Sequence, residues 1–242
     1  MMQIEIATLF PEMCEAYLSE SIIGRARKAG RLDIRCRNIR DYTLDKHRRV
    51  DDKPFGGGMG MVMQAEPIYR CWQAACEEMG ERPYTIYLSP QGKTLTQTKA
   101  VELLQKSPLF LLCGHYEGVD QRVLDKIVDE EISVGDYVLT GGELPALILT
   151  DAIARMCPGV LPAAVAFEDE SHFSGLLEHP QYTRPEVWED MAVPPILLSG
   201  HHRNITLWQK EESLRVTKEK RPEMYEAYLA QKAKEQNDAG DI

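Results

Sequence analysis

Positive charge is the first thing in short supply. The 242-residue chain carries 28 Lys and Arg against 38 Asp and Glu, a formal net charge of -10. On average such a surface repels phosphate, which nucleic-acid binders neutralise with basic side chains. Long apolar runs are missing as well. No stretch approaches the roughly 20 residues of a membrane helix. Met1 to Phe10 has neither the basic start nor the apolar core of a secretion signal, so a cytoplasmic protein with no membrane partner is expected. Six cysteines (Cys14, Cys36, Cys71, Cys76, Cys113 and Cys157) stand apart, with no CxxC pair and no histidine at metal-ligand spacing. Reduced thiols are expected, no metal ligand is identified, and Mg²⁺ assistance does not follow from the sequence. The phosphate-binding motifs are absent too: neither GxxxxGK[ST] nor GxGxxG follows a predicted strand. The nearest approach, Gly56-Gly57-Gly58-Met59-Gly60, comes after the charged segment HRRVDDKP and lacks a phosphate lysine. It reads as a mobile backbone loop.

One local excess offsets the acidic average. Arg25, Arg27, Lys28, Arg31, Arg35, Arg37, Arg40, Lys46, Arg48, Arg49 and Lys53 face only Asp33, Asp41, Asp45, Asp51 and Asp52 over the same stretch, 11 minus 5 or +6. A solvated face and a phosphate-binding face account for it equally well.

Periodicity gives alternating strands and helices. Strands are expected at Met2 to Leu9, Ile34 to Arg40, Tyr84 to Leu88 and the continuous apolar run Leu109 to Cys113, which suits a central parallel strand. Helices are expected at Glu12 to Ser19, Thr96 to Lys106 and Glu143 to Met156. This order predicts an α/β fold with a mostly parallel sheet covered on both faces. The pattern stops at LPAAVAFEDESHFSG, and two polar helices, Asn204 to Lys220 and Pro222 to Lys234, suit a small all-helical C-terminal domain. The expected organisation is 1-160, a linker 161-174, and 175-242.

Two stretches look like walls of a ligand pocket, LLCGHYEG (Leu111 to Gly118) and SVGDYVLTGGELP (Ser133 to Pro145). Each couples an apolar run to glycines, which let a backbone approach a ligand without a Cβ in the way.

The ordered segments HRRVDDKPFGGGMGMVM (His47 to Met63), YLSPQGK (Tyr87 to Lys93), CGHYEGVDQRV (Cys113 to Val123), SVGDYVLTGGELPA (Ser133 to Ala146) and LLEHPQYTRPEVW (Leu176 to Trp188) strongly resemble the bacterial tRNA (guanine-N1) methyltransferases. These belong to the trefoil-knotted SPOUT class. The resemblance spans nearly the whole chain. It implies a deep knot in the methyltransferase domain, S-adenosylmethionine as methyl donor, the tRNA anticodon arm as partner, and a homodimer whose pocket is completed by linker and second-domain residues of the other chain. It also accounts for the missing GxGxG methyltransferase loop, because the donor in that class sits among knotted backbone loops.

By this resemblance the donor is held by Tyr87, Leu88, Ser89, Pro90, Gln91, Gly114, Tyr116, Glu117, Val134, Gly135, Asp136, Tyr137, Val138, Leu139, Gly141, Gly142, Leu144 and Pro145. A methylthio-adenosine carries no phosphate, so apolar walls and backbone hydrogen bonds suit it better than Lys or Arg. Methylation at N1 of guanine requires a base for the N1 proton and a positive group near O6. The resemblance gives Arg155 the O6 role, against the plain alternative of an i, i+4 pair with Asp151. It gives the base to the acidic linker, where Asp169 matches the family's residue type and Glu170 fits an ungapped count; Asp169 is favoured and Glu170 stays open. Glu117 is implied at the shared pocket of donor and target base. The basic stretch and His201 and His202 are implied at the tRNA phosphates. Two other functions compete: another knotted methyltransferase, acting on ribosomal RNA, and a non-catalytic RNA-binding module.

Overall fold

The computed structural model describes residues 1-161 and 170-240, with side chains described as far as 235 in the last helix. The chain divides into two compact units, Met1–Ala164 and Val165–Ile242.

The first unit runs β1 (Met2–Thr8), α1 (Pro11–Leu18), α2 (Ser21–Lys28), β2 (Leu32–Asn38), a 3-10 turn (Ile39–Tyr42), β3 (Asp51–Asp52), β4 (Val62–Met63), α3 (Ala65–Met79), β5 (Tyr84–Thr94), α4 (Gln97–Leu104), β6 (Leu109–Cys113), α5 (Gln121–Ile127), β7 (Glu130–Ser133) and α6 (Glu143–Ala154). Five strands form one parallel sheet in the order β2-β1-β6-β5-β7. Every residue of β6 is buried, as expected of an unbroken apolar run covered on both faces. Helices α2, α3 and α5 are additional to those expected from periodicity. Helix α3 ends at Gly80, whose φ of +76° closes the helix in the left-handed region that glycine enters without strain.

Strand β5 is interrupted near its end. It pairs with Ile132 of β7 twice, through Leu88 and again through Lys93. The intervening Ser89–Gly92 stands out as a loop, and at Gly92 its backbone presses on β7: a Cβ there would lie 2.4 Å from the Glu131 carbonyl carbon. On the other side of the sheet a charge is buried. Glu5 on β1 is 2% exposed and accepts both Nε and Nη2 of Arg37 on the neighbouring β2, at 2.6 and 3.0 Å. The Arg37 guanidinium also reaches Glu78 and the Tyr42 hydroxyl, so the carboxylate is carried inside with its counter-charge.

The second unit contains β8 (Val187–Trp188), β9 (Met191–Ala192), the short turn α7 (Pro195–Leu198) and two 19-residue helices, α8 (His202–Lys220) and α9 (Pro222–Gly240), which pack on each other. The all-helical expectation is therefore corrected. Val187 pairs with Ala192 and Trp188 with Met191, and the two-residue loop Glu189-Asp190 holds both φ angles positive, +44° and +63°. That is the turn which matches strand twist, built here without the Asn-Gly pair that advertises it in sequence. His201 caps the start of α8 and, like His202, is exposed.

Five of the eleven cations of the basic stretch pair with carboxylates of the chain. Arg27 pairs with Glu15, Arg35 with Asp33 and Glu78, Arg37 with Glu5 and Glu78, Arg48 with Asp41 and Arg49 with Asp45. Among the described residues, Arg25, Lys28, Arg31, Arg40, Lys46 and Lys53 have no such carboxylate.

Candidate active site

The ends of three adjacent strands, β6, β5 and β7, surround a cavity of about 470 Å³. Its walls are Tyr87 to Gln91 from the end of β5, Gly114 to Val119 after β6, Glu131 to Val134 at β7, and Tyr137 to Gly142 with Pro145 leading into α6. Ligands of open α/β sheets bind beyond the carboxyl ends of the strands, as here.

Glycine makes the walls fit. The Gly142 amide donates to the Gly114 carbonyl at 2.9 Å, and a Cβ on Gly142 would lie 2.6 Å from Cys113 Cα. The two glycine-bearing segments thus meet backbone to backbone. A Cβ on Gly114 would strike the Tyr87 hydroxyl at 2.7 Å. Burial pushes that phenol up to about 12, with the Glu131 carboxylate adding to it, so Tyr87 keeps its proton at neutral pH. The turn Ser133–Gly135 is fastened from within: Ser133 Oγ donates to the Gly135 carbonyl at 2.9 Å and accepts its amide at 3.2 Å.

The loop Gly56–Met61 belongs to the same region. The Glu117 amide donates to the Met61 carbonyl at 3.0 Å and the Met63 amide to the Gly118 carbonyl at 2.9 Å. Gly60, with φ +89°, lies so close to Glu117 that a Cβ would sit 2.4 Å from its Oε1. Gly60 and Met61, at the end of the stretch expected to be a mobile backbone loop, thus support Glu117.

All the residues expected at the donor loops line this cavity except Gly135, Asp136 and Leu144. Leu144 is half-exposed on α6 and Asp136 is exposed. Glu117 lines the cavity; Arg155 and Glu170 do not. Arg155 caps the far end of α6, and the 1.5 Å rise per residue sets it about 15 Å along the axis from Pro145. Asp151 accepts the Tyr17 hydroxyl at 3.0 Å. Glu170 is half-buried in the second unit, where its carbonyl accepts the Phe173 amide at 3.2 Å. Asp169 lies outside the described residues. His115, Gly118, Ser133 and Thr140, which lie within the two segments expected to wall the pocket, line it too, and the cavity adds residues that sequence reasoning missed: Val119, Gln121, Leu124, Glu131 and Ile132. Glu131 and Ile132 enter because β7 lies beside β5, a neighbour relation no local pattern announces. Among the described residues no lysine or arginine lines the cavity.

These features define an α/β protein with a backbone-lined pocket at its strand ends. A family model described as tRNA (Guanine-1)-methyltransferase TrmD matches residues 2–227. The tRNA (guanine-N(1)-)-methyltransferase of Ruminiclostridium cellulolyticum is 54% identical over 224 residues, covering 93% of this chain and 96% of the relative. That of Clostridioides difficile is 50% identical over 225 residues (93% and 97%), and that of Pasteurella multocida 51% over 226 (93% and 92%). The chain belongs to the tRNA (guanine-1)-methyltransferase family and is a methyltransferase. No described helix is long and apolar enough to cross a membrane.

The backbone contact at Gly142 gives a direct test. Gly142→Ala forces Cys113 and Gly114 apart, and overpacking of this kind costs about 1–3 kcal/mol. The expected result in urea unfolding is a lower midpoint with an unchanged slope; a wild-type midpoint would mean that the two segments do not depend on this contact.

Proposed function

We propose that the protein transfers the methyl group of S-adenosylmethionine to N1 of the guanosine just 3′ of the anticodon in tRNA, in the cytoplasm, as a homodimer. The observation that carries this reading is a pocket of glycine-bearing backbone and apolar side chains, without lysine or arginine among its described lining residues, in a chain of this family. The residues present fit the donor. Leu88, Val134, Leu139 and Pro145 supply apolar walls, the glycine segments offer backbone amides and carbonyls, and Glu117 and Glu131 complement a cationic sulfonium. Bound there, the donor supplies an electrophilic methyl group. The order of these loops in the chain suits a trefoil knot between about residues 87 and 142, which tracing a crystal structure of the donor complex would test.

The rest of the chemistry belongs to the protein and the RNA. N1 of guanine carries a proton at neutral pH, and Asp169 takes it as the methyl group arrives, with Glu170 as the alternative base. Arg155 steadies the negative charge that grows on O6. Glu117, held by the Gly60 loop, limits where the target base can lie.

The distance between Arg155 and the cavity supports a dimer in which Arg155 of one chain serves the cavity of another. An apolar face is available for pairing: Met13 and Tyr17 on α1 and Leu144 and Ile148 on α6 are each about half exposed, one helical turn apart on helices that pack together. Lys and Arg outside the ion pairs of the basic stretch, Arg40 among them, supply phosphate contacts.

Three outcomes test this reading. Labelled methyl enters a tRNA transcript with guanosine at the target position and not one with adenosine; methylation of both, or of neither, sinks the assignment, and a ribosomal RNA substrate would replace it. Asp169→Asn lowers turnover by about 10²-fold or more with donor binding intact; if only Glu170→Gln does so, Glu170 is the base. Arg155→Ala and Gly114→Val are each inactive alone, and mixing them restores activity. A mixture as inactive as its parts means that Arg155 acts within its own chain.

A further inference from the structure

Three aromatic rings stand together at the edge of the cavity. The His115 ring lies 5.1 Å from Phe10 and 5.4 Å from Tyr116, edge to face in both cases. Phe10 is 43% and Tyr116 44% exposed, so two faces of the group are open, while His115 and Tyr116 also line the cavity.

The group is anchored from below by one buried carboxylate. The Phe10 amide donates to Thr8 Oγ1 at 2.9 Å, and that hydroxyl donates to Glu143 Oε1 at 2.8 Å. Thr8 is fully buried and Glu143 nearly so. The other carboxylate oxygen, Oε2, faces His115 Nδ1 at 3.9 Å, and Nδ1 is buried without a hydrogen-bond partner. Gly141 leaves the room, since a Cβ there would lie 2.3 Å from His115 Nδ1 and 2.4 Å from Glu143 Oε2. Tyr116 is held with φ +59°, unusual for a residue with a Cβ. Arg40 Nη2 donates to its hydroxyl at 3.4 Å, which sets a cation beside the exposed rings.

We propose that Phe10, His115 and Tyr116 form a stacking step for an unpaired RNA base adjoining the target guanosine, fixed in place by the Thr8–Glu143 pair. Unpaired bases bind by stacking on aromatic side chains, with arginine nearby for phosphate. The step is continuous with the cavity, so it lies where a nucleotide next to a base turned into that cavity would pass. Glu143 is a positioning residue here: it reaches the RNA only through the rings. The proposal rests on methyl transfer to a tRNA guanosine as the protein's function.

The test uses the full-length protein, saturating donor, and anticodon-arm RNA carrying an abasic residue on the 5′ or the 3′ side of the target. Phe10→Leu, which keeps an apolar side chain without a ring, is expected to weaken RNA binding about tenfold while donor affinity is unchanged, and Phe10→Tyr to restore it. One of the two abasic RNAs should bind the wild type about tenfold less well and bind Phe10→Leu no worse than intact RNA. Glu143→Ala should weaken RNA binding as Phe10→Leu does, and Glu143→Gln, which still accepts from Thr8, should not. Equal penalties from both abasic RNAs in both proteins would overturn the step, as would a changed oligomeric state in Phe10→Leu, because the ring would then be covered by a second copy. A wild type that methylates no guanosine transcript with intact neighbours would instead bring down the underlying function, and the step with it.

Discussion

The cavity depends on one backbone contact, the approach of Gly142 to Cys113 and Gly114. A hydrogen bond joins the segment after β6 to the start of α6, and only the absence of a Cβ permits it. Everything nearby is positioned from that point. Helix α6 begins there, so Glu143 enters the interior beside Thr8; Gly114 leaves room for Tyr87; and the Gly60 loop is stitched to the next residues of the β6 segment. The glycines of this protein therefore act as close-packing positions, where the functional groups are main-chain atoms held at fixed distances.

Charge is distributed on the same logic. The interior tolerates Glu5 because Arg37 comes with it, and Arg27, Arg35, Arg48 and Arg49 of the basic stretch also pair with carboxylates. Among the described residues of that stretch, Arg25, Lys28, Arg31, Arg40, Lys46 and Lys53 stay outside such pairs, Arg40 beside the rings at the cavity edge, on a molecule of net charge -10. An acidic protein that binds a polyanion in this way gains little from long-range attraction and must draw on local contacts, such as aromatic faces and shaped cavities.

Much of this was legible in the sequence. Strand β6 was readable because a doubly covered strand needs an unbroken apolar run, and α6 because its apolar positions persist for three turns. The pocket segments were readable because two glycine-bearing strand ends occur together, although either alone reads as an ordinary turn. Three things were not. The neighbours Glu131 and Ile132 reach the cavity through strand order, a property of the whole sheet. The hairpin at Glu189-Asp190 turns through two positive φ angles without a glycine or asparagine to announce it. His115 stood inside a pocket segment, but its contacts with Phe10 and Glu143, both remote from it along the chain, could not be read locally. Arg155 follows its motif closely in sequence, yet a straight helix carries it away from the cavity.

The doubled pairing of β5 with Ile132 has a wider consequence. The loop Ser89–Gly92 is at once a cavity wall and the cover of the short edge strand β7. A ligand that touches Ser89–Gly92 would therefore also bear on the pairing of β5 with β7, and its binding would add to the protection of the β7 amides from solvent exchange.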